Sequence, residues 1–507
     1  MAIRRKEGFY LDFYAAEPLV EENAFLKDKP DRSFPANFPE SRHLLPEPSW
    51  EGHAPAIECY WKTWDLGFRN LKQVSRGNGF VSPYIDTAFN DCIFMWDSAL
   101  ILMFARYGRR AFDFQRTLDN FYAKQHGDGF ISREIQEWDG HDRFHRFDPV
   151  STGPNVLPWC EWEYYLNFGD AERLAKVFAP LLAYYRWTRK NRSWPDGSYW
   201  TSGFGCGMDN QPRVSEGYSR EFDHGHMSWI DATAQAVFAA KVLMRMAAAL
   251  GRERDTKDLS NEVEHLTTYI NRNMWRDDAR TYADRFRDGS LSRVKTIGAY
   301  WTLLAGAVPP ERLGPFVAHL ESEKEFNRPH RAPSLSADDG DYEAGGGYWR
   351  GAVWPPTNYM LLRGLSATGR DDLAADVGRN HHDNVVKVFE KTGTVWENYA
   401  PESAAPGDPA KGDFVGWGGV GPVAVFLEYV LGLRADVPAK RLVWDVRLTE
   451  AHGVKRYPFG KKGLLDLSAA RRRRASAEPR IEVTSNVPLE LDLRWAAGKK
   501  TVQVKGA

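Results

Sequence analysis

A mainly α-helical chain whose helical hairpins close into a ring, followed by a small β module, is the fold this sequence predicts. Three observations predict it. From about residue 76 to 435, apolar residues recur at helical spacing in one segment after another. No strand-like run separates those segments, which describes all-α hairpins. Beyond about residue 440 the pattern changes to short alternating or β-branched runs. A chain of 507 residues is longer than one core usually supports. Closing the hairpins around an axis reconciles that length with a single core, and it gathers one set of loops at one mouth.

Residues 1 to about 75 are expected to be an irregular extension, because Pro30, Pro35, Pro39, Pro46, Pro48 and Pro55 interrupt any long element. Helical spacing then marks Ser98–Tyr107, Ala171–Lys190, His226–Gly251, Leu259–Met274, Gly298–Ala307, Pro356–Thr368, Leu373–Lys391 and Val420–Gly432. Loops rich in Gly, Trp and Asp connect them: Gly127–Phe130, Pro195–Trp200, Gly203–Arg213, Gly345–Pro356 and Val415–Pro422. The tail, residues 440–507, carries strand-like runs in RLVWDVRL, GLLDL, RIEVTS, LELDLRW and TVQVKG. Packing and capping is the role expected of this module, with sugar binding as the alternative.

Composition excludes several classes of function. With 67 basic against 68 acidic residues the formal net charge is -1, so neither nucleic acid nor an anionic membrane is indicated as a partner. The one basic run, Arg471–Arg474, is expected to be a solvated loop. No run approaches the roughly 18 consecutive apolar residues of a membrane span. Met1–Glu7 is basic but no apolar stretch follows it, which argues against a secretory signal and for a cytoplasmic location. Cys59, Cys92, Cys160 and Cys206 lie far apart, so neither a zinc site nor a disulfide framework is expected; no metal and no cofactor is. Asp223, His224 and His226 have no third ligand at fitting spacing and describe a hydrogen-bonded helix start. The informative excess is aromatic: 19 Trp, 21 Tyr and 28 Phe, with several Trp beside Gly, Asp, Glu and Asn in loops. Indole rings beside polar groups suit sugars, whose C–H faces stack while their hydroxyls take hydrogen bonds.

Glycoside hydrolysis needs a proton donor for the leaving oxygen and a second carboxylate to activate water or attack carbon. Two carboxyls stand out by context. Asp209 follows Gly205 and Gly207 in a tight turn that Pro212 ends. Glu397 lies between Trp396 and Asn398-Tyr399, where aromatic walls would desolvate it and raise its pKa. Taken alone, either could equally be a turn or packing residue.

Five stretches in order remove that ambiguity: Phe94-Met95-Trp96-Asp97-Ser98, Gly207-Met208-Asp209-Asn210, Tyr348-Trp349-Arg350-Gly351-Ala352-Val353-Trp354, Trp396-Glu397-Asn398-Tyr399 and Gly416-Trp417-Gly418. Over about residues 80 to 435 the chain resembles glycoside hydrolase family 63 and its mannosylglycerate/glucosylglycerate hydrolase-like relatives, with family 37 trehalases more distant. The resemblance implies an (α/α)6 barrel and an inverting mechanism with Asp209 as general acid and Glu397 as general base. It implies that Trp96 and Asp97 line the pocket for the cleaved sugar. It further implies that Trp349, Arg350 and Trp354 supply stacking and a polar contact, and that Trp417 closes the floor or rim. Asn210 and Gln211, beside the acid, join the expected substrate contacts, as do Glu161 and Arg133 from neighbouring segments. Ala352 stands where many relatives have Pro, and Gln211 where Ser is frequent; neither change removes a carboxylate.

The expected function is therefore an exo-acting inverting α-glycosidase for a small α-glycoside or an oligosaccharide end, glucose favoured over mannose as the glycone. Self-association is left open. A trehalase-like hydrolase is the alternative within that class. A sugar epimerase or isomerase on the same barrel would need catalytic histidines in these loops, a phosphorylase would lack Glu397, and a carbohydrate-binding protein would tolerate loss of Asp209.

Overall fold

The computed structural model describes residues 16–413 and 416–506; the basic stretch Met1–Glu7 and Val415 lie outside the described residues. The helices that build the body are α1 (Ala54–Arg69), α2 (Met95–Ala105), α3 (Leu157–Phe168), α4 (Ala171–Asn191), α5 (Ile230–Leu250), α6 (Lys257–Asn273), α7 (Trp301–Leu304), α8 (Pro310–Val317), α9 (Pro355–Ala367), α10 (Asp371–Thr392) and α11 (Val420–Val430). The last of these is wound as a π-helix, and the Leu431 amide donates five residues back to the Phe426 carbonyl.

Sequence decides which helices lie inside. Every residue of α2 and of α11 is buried, and such all-round apolar helices can only sit in a core. By contrast α6 buries one narrow stripe, Leu259, Leu266, Tyr269 and Ile270, and turns the rest to solvent. The inner helices contact one another in succession: α2 on α3, α3 on α5, α5 on α7, α7 on α9, α9 on α11, and α11 back on α2. The partly exposed helices lie against this circuit, α4 on α3 and α5, α6 on α5, α10 on α9 and α11, and α1 on α10 and α11. At the closure point a Cβ on Gly419 would overlap the Phe104 ring of α2, so the backbone before α11 can lie flat on that ring only as glycine. Helix α5 is long and apolar enough by composition to cross a bilayer, yet its most apolar window is 67% buried inside the protein.

Two segments differ from their sequence reading. Residues 54–69 form α1 within the expected irregular extension. Pro55 falls in the first turn, where the ring costs no hydrogen bond, and Ala56, Cys59, Tyr60, Thr63, Trp64 and Phe68 make one buried face. Glu161, an expected substrate contact, lies with Trp159 and Cys160 inside α3; Pro158 likewise occupies a first turn, and aromatic residues on all sides obscured the period.

At the C-terminal end two four-stranded sheets pack beside the helices. Strand β1 (Glu47–Trp50) joins β6 (His452–Phe459), β7 (Gly463–Ala469) and β8 (Ile481–Ser485) in the order β1-β6-β7-β8. The other sheet runs β10 (Gly498–Val504), β9 (Leu489–Trp495), β5 (Arg441–Asp445), β4 (Leu433–Asp436). Only β9 and β5 pair in parallel. Between the helices β2 (Cys92–Phe94) pairs antiparallel with β3 (Glu134–Gln136). In the basic run, Arg471 pairs with Glu51 at 2.9 Å and Arg472 donates to the carbonyls of Val446, Leu448 and Ala477, which latches the tail. All four cysteines are buried and free.

Candidate active site

The paired strands β2 and β3 set the first wall. Phe94 pairs with Glu134, and the Met95 amide donates to the Arg133 carbonyl at 2.8 Å, so α2 begins directly against Arg133. Trp96 and Asp97 therefore fall in the first turn of a helix whose every residue is buried. Arg133 is fixed from three sides: by an ion pair with Glu134, by Nε to the Val150 carbonyl at 3.0 Å and by Nη1 to the Phe204 carbonyl at 3.1 Å.

The second wall is the loop that carries Asp209. Ser202 accepts from the Gly205 amide at 3.1 Å and starts one helical turn, Gly203–Cys206. Gly207 ends it at φ 75°, pressed so close to the Trp96 indole that a Cβ there would sit 3.2 Å from Nε1. Asn210 then clips the next loop in both directions: its Nδ2 donates to the Gly347 carbonyl at 3.0 Å, and its Oδ1 accepts from the Trp349 amide at 2.9 Å.

That next loop carries Tyr348, a non-glycine residue at φ 64°, in the left-handed region that costs on the order of 1–2 kcal/mol. The strain has a visible product. The Tyr348 hydroxyl donates to Glu397 Oε1 at 3.2 Å, while its carbonyl accepts from Trp354 Nε1, also at 3.2 Å. Glu397 is held from behind by two backbone bonds to Lys411: the Glu397 amide donates to the Lys411 carbonyl at 3.0 Å, and the Lys411 amide donates to Oε2 at 3.1 Å. The Trp417 indole donates to the Glu397 carbonyl at 3.1 Å.

These walls enclose one shared pocket. It brings together Trp96, Asp97, Arg133, Asp209, Tyr348, Trp349, Glu397 and Trp417, from segments as far apart as residues 94 and 417. Three carboxyls share it with one guanidinium, and burial dominates their electrostatics. Desolvation pushes Asp97 up to about 8 and Asp209 up to about 7; the Arg133 charge opposes both shifts, and the Glu397 charge adds to them. Glu397 is also raised by burial, but the Lys411 amide and the Tyr348 hydroxyl favour its ionised form. At neutral pH the pocket can thus hold a carboxylic acid able to give a proton beside a carboxylate able to take one. Among the described residues no group of His, Cys, Asp and Glu is placed to hold a metal ion.

The profile of the "Mannosylglycerate hydrolase MGH1-like glycoside hydrolase domain" matches residues 92–417, which spans every wall of this pocket. The chain belongs to this glycoside hydrolase family. An uncharacterized protein of Borreliella burgdorferi is 24% identical over 72% of this chain and 77% of its own length. A probable mannosyl-oligosaccharide glucosidase of Schizosaccharomyces pombe is 26% identical over 52% of this chain, which spans only 33% of that larger protein. In fold, the chain is similar to the family 63 mannosylglycerate hydrolase of Thermus thermophilus, solved in complex with glucose. That likeness has a TM-score of 0.58 and 21% identity, over 73% of this chain and 99% of the other.

Four residues expected to touch substrate in this glycoside hydrolase lie elsewhere. Glu161, on α3, accepts from Arg173 and from the Tyr122 hydroxyl, and its buried carboxylate is used up there. Gln211 is turned inward, its Nε2 donating to the Ser334 carbonyl at 2.7 Å and its Oε1 accepting from Thr296 at 2.8 Å. Arg350 points to the rim and pairs with Glu343. Trp354 lies one layer behind the pocket, stacked on Trp349 at 3.8 Å and 2°, so it stiffens the wall without lining it. Asn210 acts through its clip on the Trp349 loop. Sequence reasoning missed Tyr348, although it opens a quoted stretch, since only coordinates reveal its left-handed backbone. Phe89, Phe94 and Phe204, which complete the lining, were also missed. Asp231, buried on α5, receives both Arg213 terminal nitrogens, and Asp284 shares that guanidinium.

Proposed function

We propose that this chain is an inverting, exo-acting α-glycosidase in which Asp209 protonates the leaving oxygen and Glu397 activates the attacking water. One observation carries the reading. Two carboxyls 188 positions apart in sequence line one pocket; burial raises both, Asp209 to about 7, while the Lys411 amide and the Tyr348 hydroxyl hold Glu397 back toward its ionised form. In the proposed reaction the Asp209 proton passes to the glycosidic oxygen as the C1–O bond breaks. Glu397 takes a proton from water as that water bonds to C1 from the opposite face, so the anomeric configuration inverts. Tyr348 is a positioning residue that steers Glu397 Oε1. Trp96, Trp349 and Trp417 give the sugar its stacking walls, and Asp97, largely protonated at neutral pH, donates to a sugar hydroxyl.

Glucose is the favoured glycone, with mannose next; the glucosidase relatives and the glucose complex of the Thermus neighbour support that order. The closed succession of inner helix contacts supports an (α/α)6 toroid over about residues 76–435, with residues 440–507 as a capping module. The test is a panel of α-glucosides, α-mannosides and trehalose, followed by NMR of the first-formed sugar. The β-anomer is expected first; an α-anomer, or turnover that survives in Asp209→Asn, overturns the assignment.

A further inference from the structure

A second cavity lies behind the active pocket, and no residue lines both. The same two segments nevertheless form both walls: Pro154 and Phe204 face the active pocket, while Gly153, Asn155 and Gly205 face the other side. The second cavity has a buried cation with no anion. Arg192 is 3% exposed, yet every acceptor around it is neutral: Thr152 Oγ1 at 3.2 Å from Nε, the Asn191 carbonyl at 3.0 Å from Nη1, and the carbonyls of Arg146 and Asp148 and the Ser151 hydroxyl around Nη2. The exposed Asp148 carboxylate acts on Arg192 through its field but forms no ion pair with it, and accepts from the His145 amide. Trp187 and Trp200 flank the guanidinium at 5.0 and 4.7 Å. Leaving a charge buried without its counter-ion costs several kcal/mol.

Two further groups on the lining are unsatisfied. Neither the oxygen nor the nitrogen of the Asn155 amide has a partner. Gln235, on α5 and 5% exposed, makes no side-chain hydrogen bond among the described residues. Arg192, Asn155 and Gln235 thus line one cavity together with Ala232 and Ala236. One positive charge calls for one negative charge, planar donors match a planar acceptor, and the alanine lining suits a short alkyl tail.

We infer that this cavity binds a short-chain monocarboxylate, held by Arg192, Asn155 and Gln235 behind the wall that carries Phe204 and Asp209. The inference is independent of which sugar the active pocket takes. Isothermal titration of the full chain with sodium acetate, referenced to sodium chloride at equal ionic strength, tests it. One saturable site per chain is expected, with no binding of acetamide, the neutral isostere. Arg192 ties residues 146–151 together, so its removal endangers folding; Gln235→Leu and Asn155→Leu are the working variants, each expected to weaken acetate at least tenfold while its melting temperature shows it folded. Heat no greater than that of chloride, equal binding of acetamide, or unchanged affinity in folded Gln235→Leu overturns the inference.

Discussion

The two ends of α2 treat buried carboxylates in opposite ways. Just past its C-terminus, Arg106 reaches Glu428 at 2.7 Å, and Arg363, Tyr107 and Tyr359 crowd the same carboxylate while Arg363 also holds Glu163. Each charge there has its counter-charge. At the N-terminus, Asp97, Asp209 and Glu397 share a pocket with the single guanidinium of Arg133, itself paired with Glu134. The difference separates scaffold from chemistry: a paired buried carboxylate is fixed in one state, whereas an under-compensated one keeps a proton within reach of neutral pH.

The comparison breaks most sharply under substitution. Asp209→Asn and Glu397→Gln are expected to lower kcat by about 10³-fold or more without loss of melting temperature, read by steady-state kinetics and calorimetry. In the wild type the rate should fall as pH rises through about 7, where Asp209 loses its proton. At the opposite end, Arg363→Met should cost about 3–5 kcal/mol of stability in denaturant unfolding by leaving two buried carboxylates with Arg106 as their one counter-charge, while kcat of the folded protein stays within about twofold. Tyr348→Phe removes one hydrogen bond to a charged acceptor; kcat should drop about tenfold and the acidic limb of the pH profile move to higher pH, because Glu397 loses a donor that favours its ionised form.

The smallest effect concerns stability. Asp97 binds its proton more tightly folded than unfolded, so its contribution is present below about pH 4 and lost as pH rises toward 8. Asp97→Asn should therefore raise the melting temperature by a few degrees at pH 8 and leave it unchanged near pH 4, as calorimetry across that range would record. Because Asn keeps a donor, the variant should retain partial activity; complete loss would assign Asp97 a proton-transfer role.

How much of this was legible in the sequence depended on how locally each signal was written. The stretches bearing Asp97, Asp209 and Glu397 were readable because glycines and tryptophans beside carboxyls leave a short-range trace. Glu161 was misplaced because Pro158 looks like a breaker although it stands where a helix tolerates it, and because the aromatics around it conceal the apolar stripe. The contact of α11 on α2, the pairing of β1 with β6 and the turn of Gln211 into the protein depend on partners far along the chain, which no window of sequence contains.

That pairing of β1 with β6 has a consequence for synthesis. Strand β1 leaves the ribosome about 400 residues before the partner it needs, roughly 20–80 s at typical elongation rates. For that interval Trp50 and the apolar face of α1 are without their final cover, and α2 waits nearly as long for α11. A nascent chain of this architecture is a client for holdase chaperones until its last hundred residues emerge.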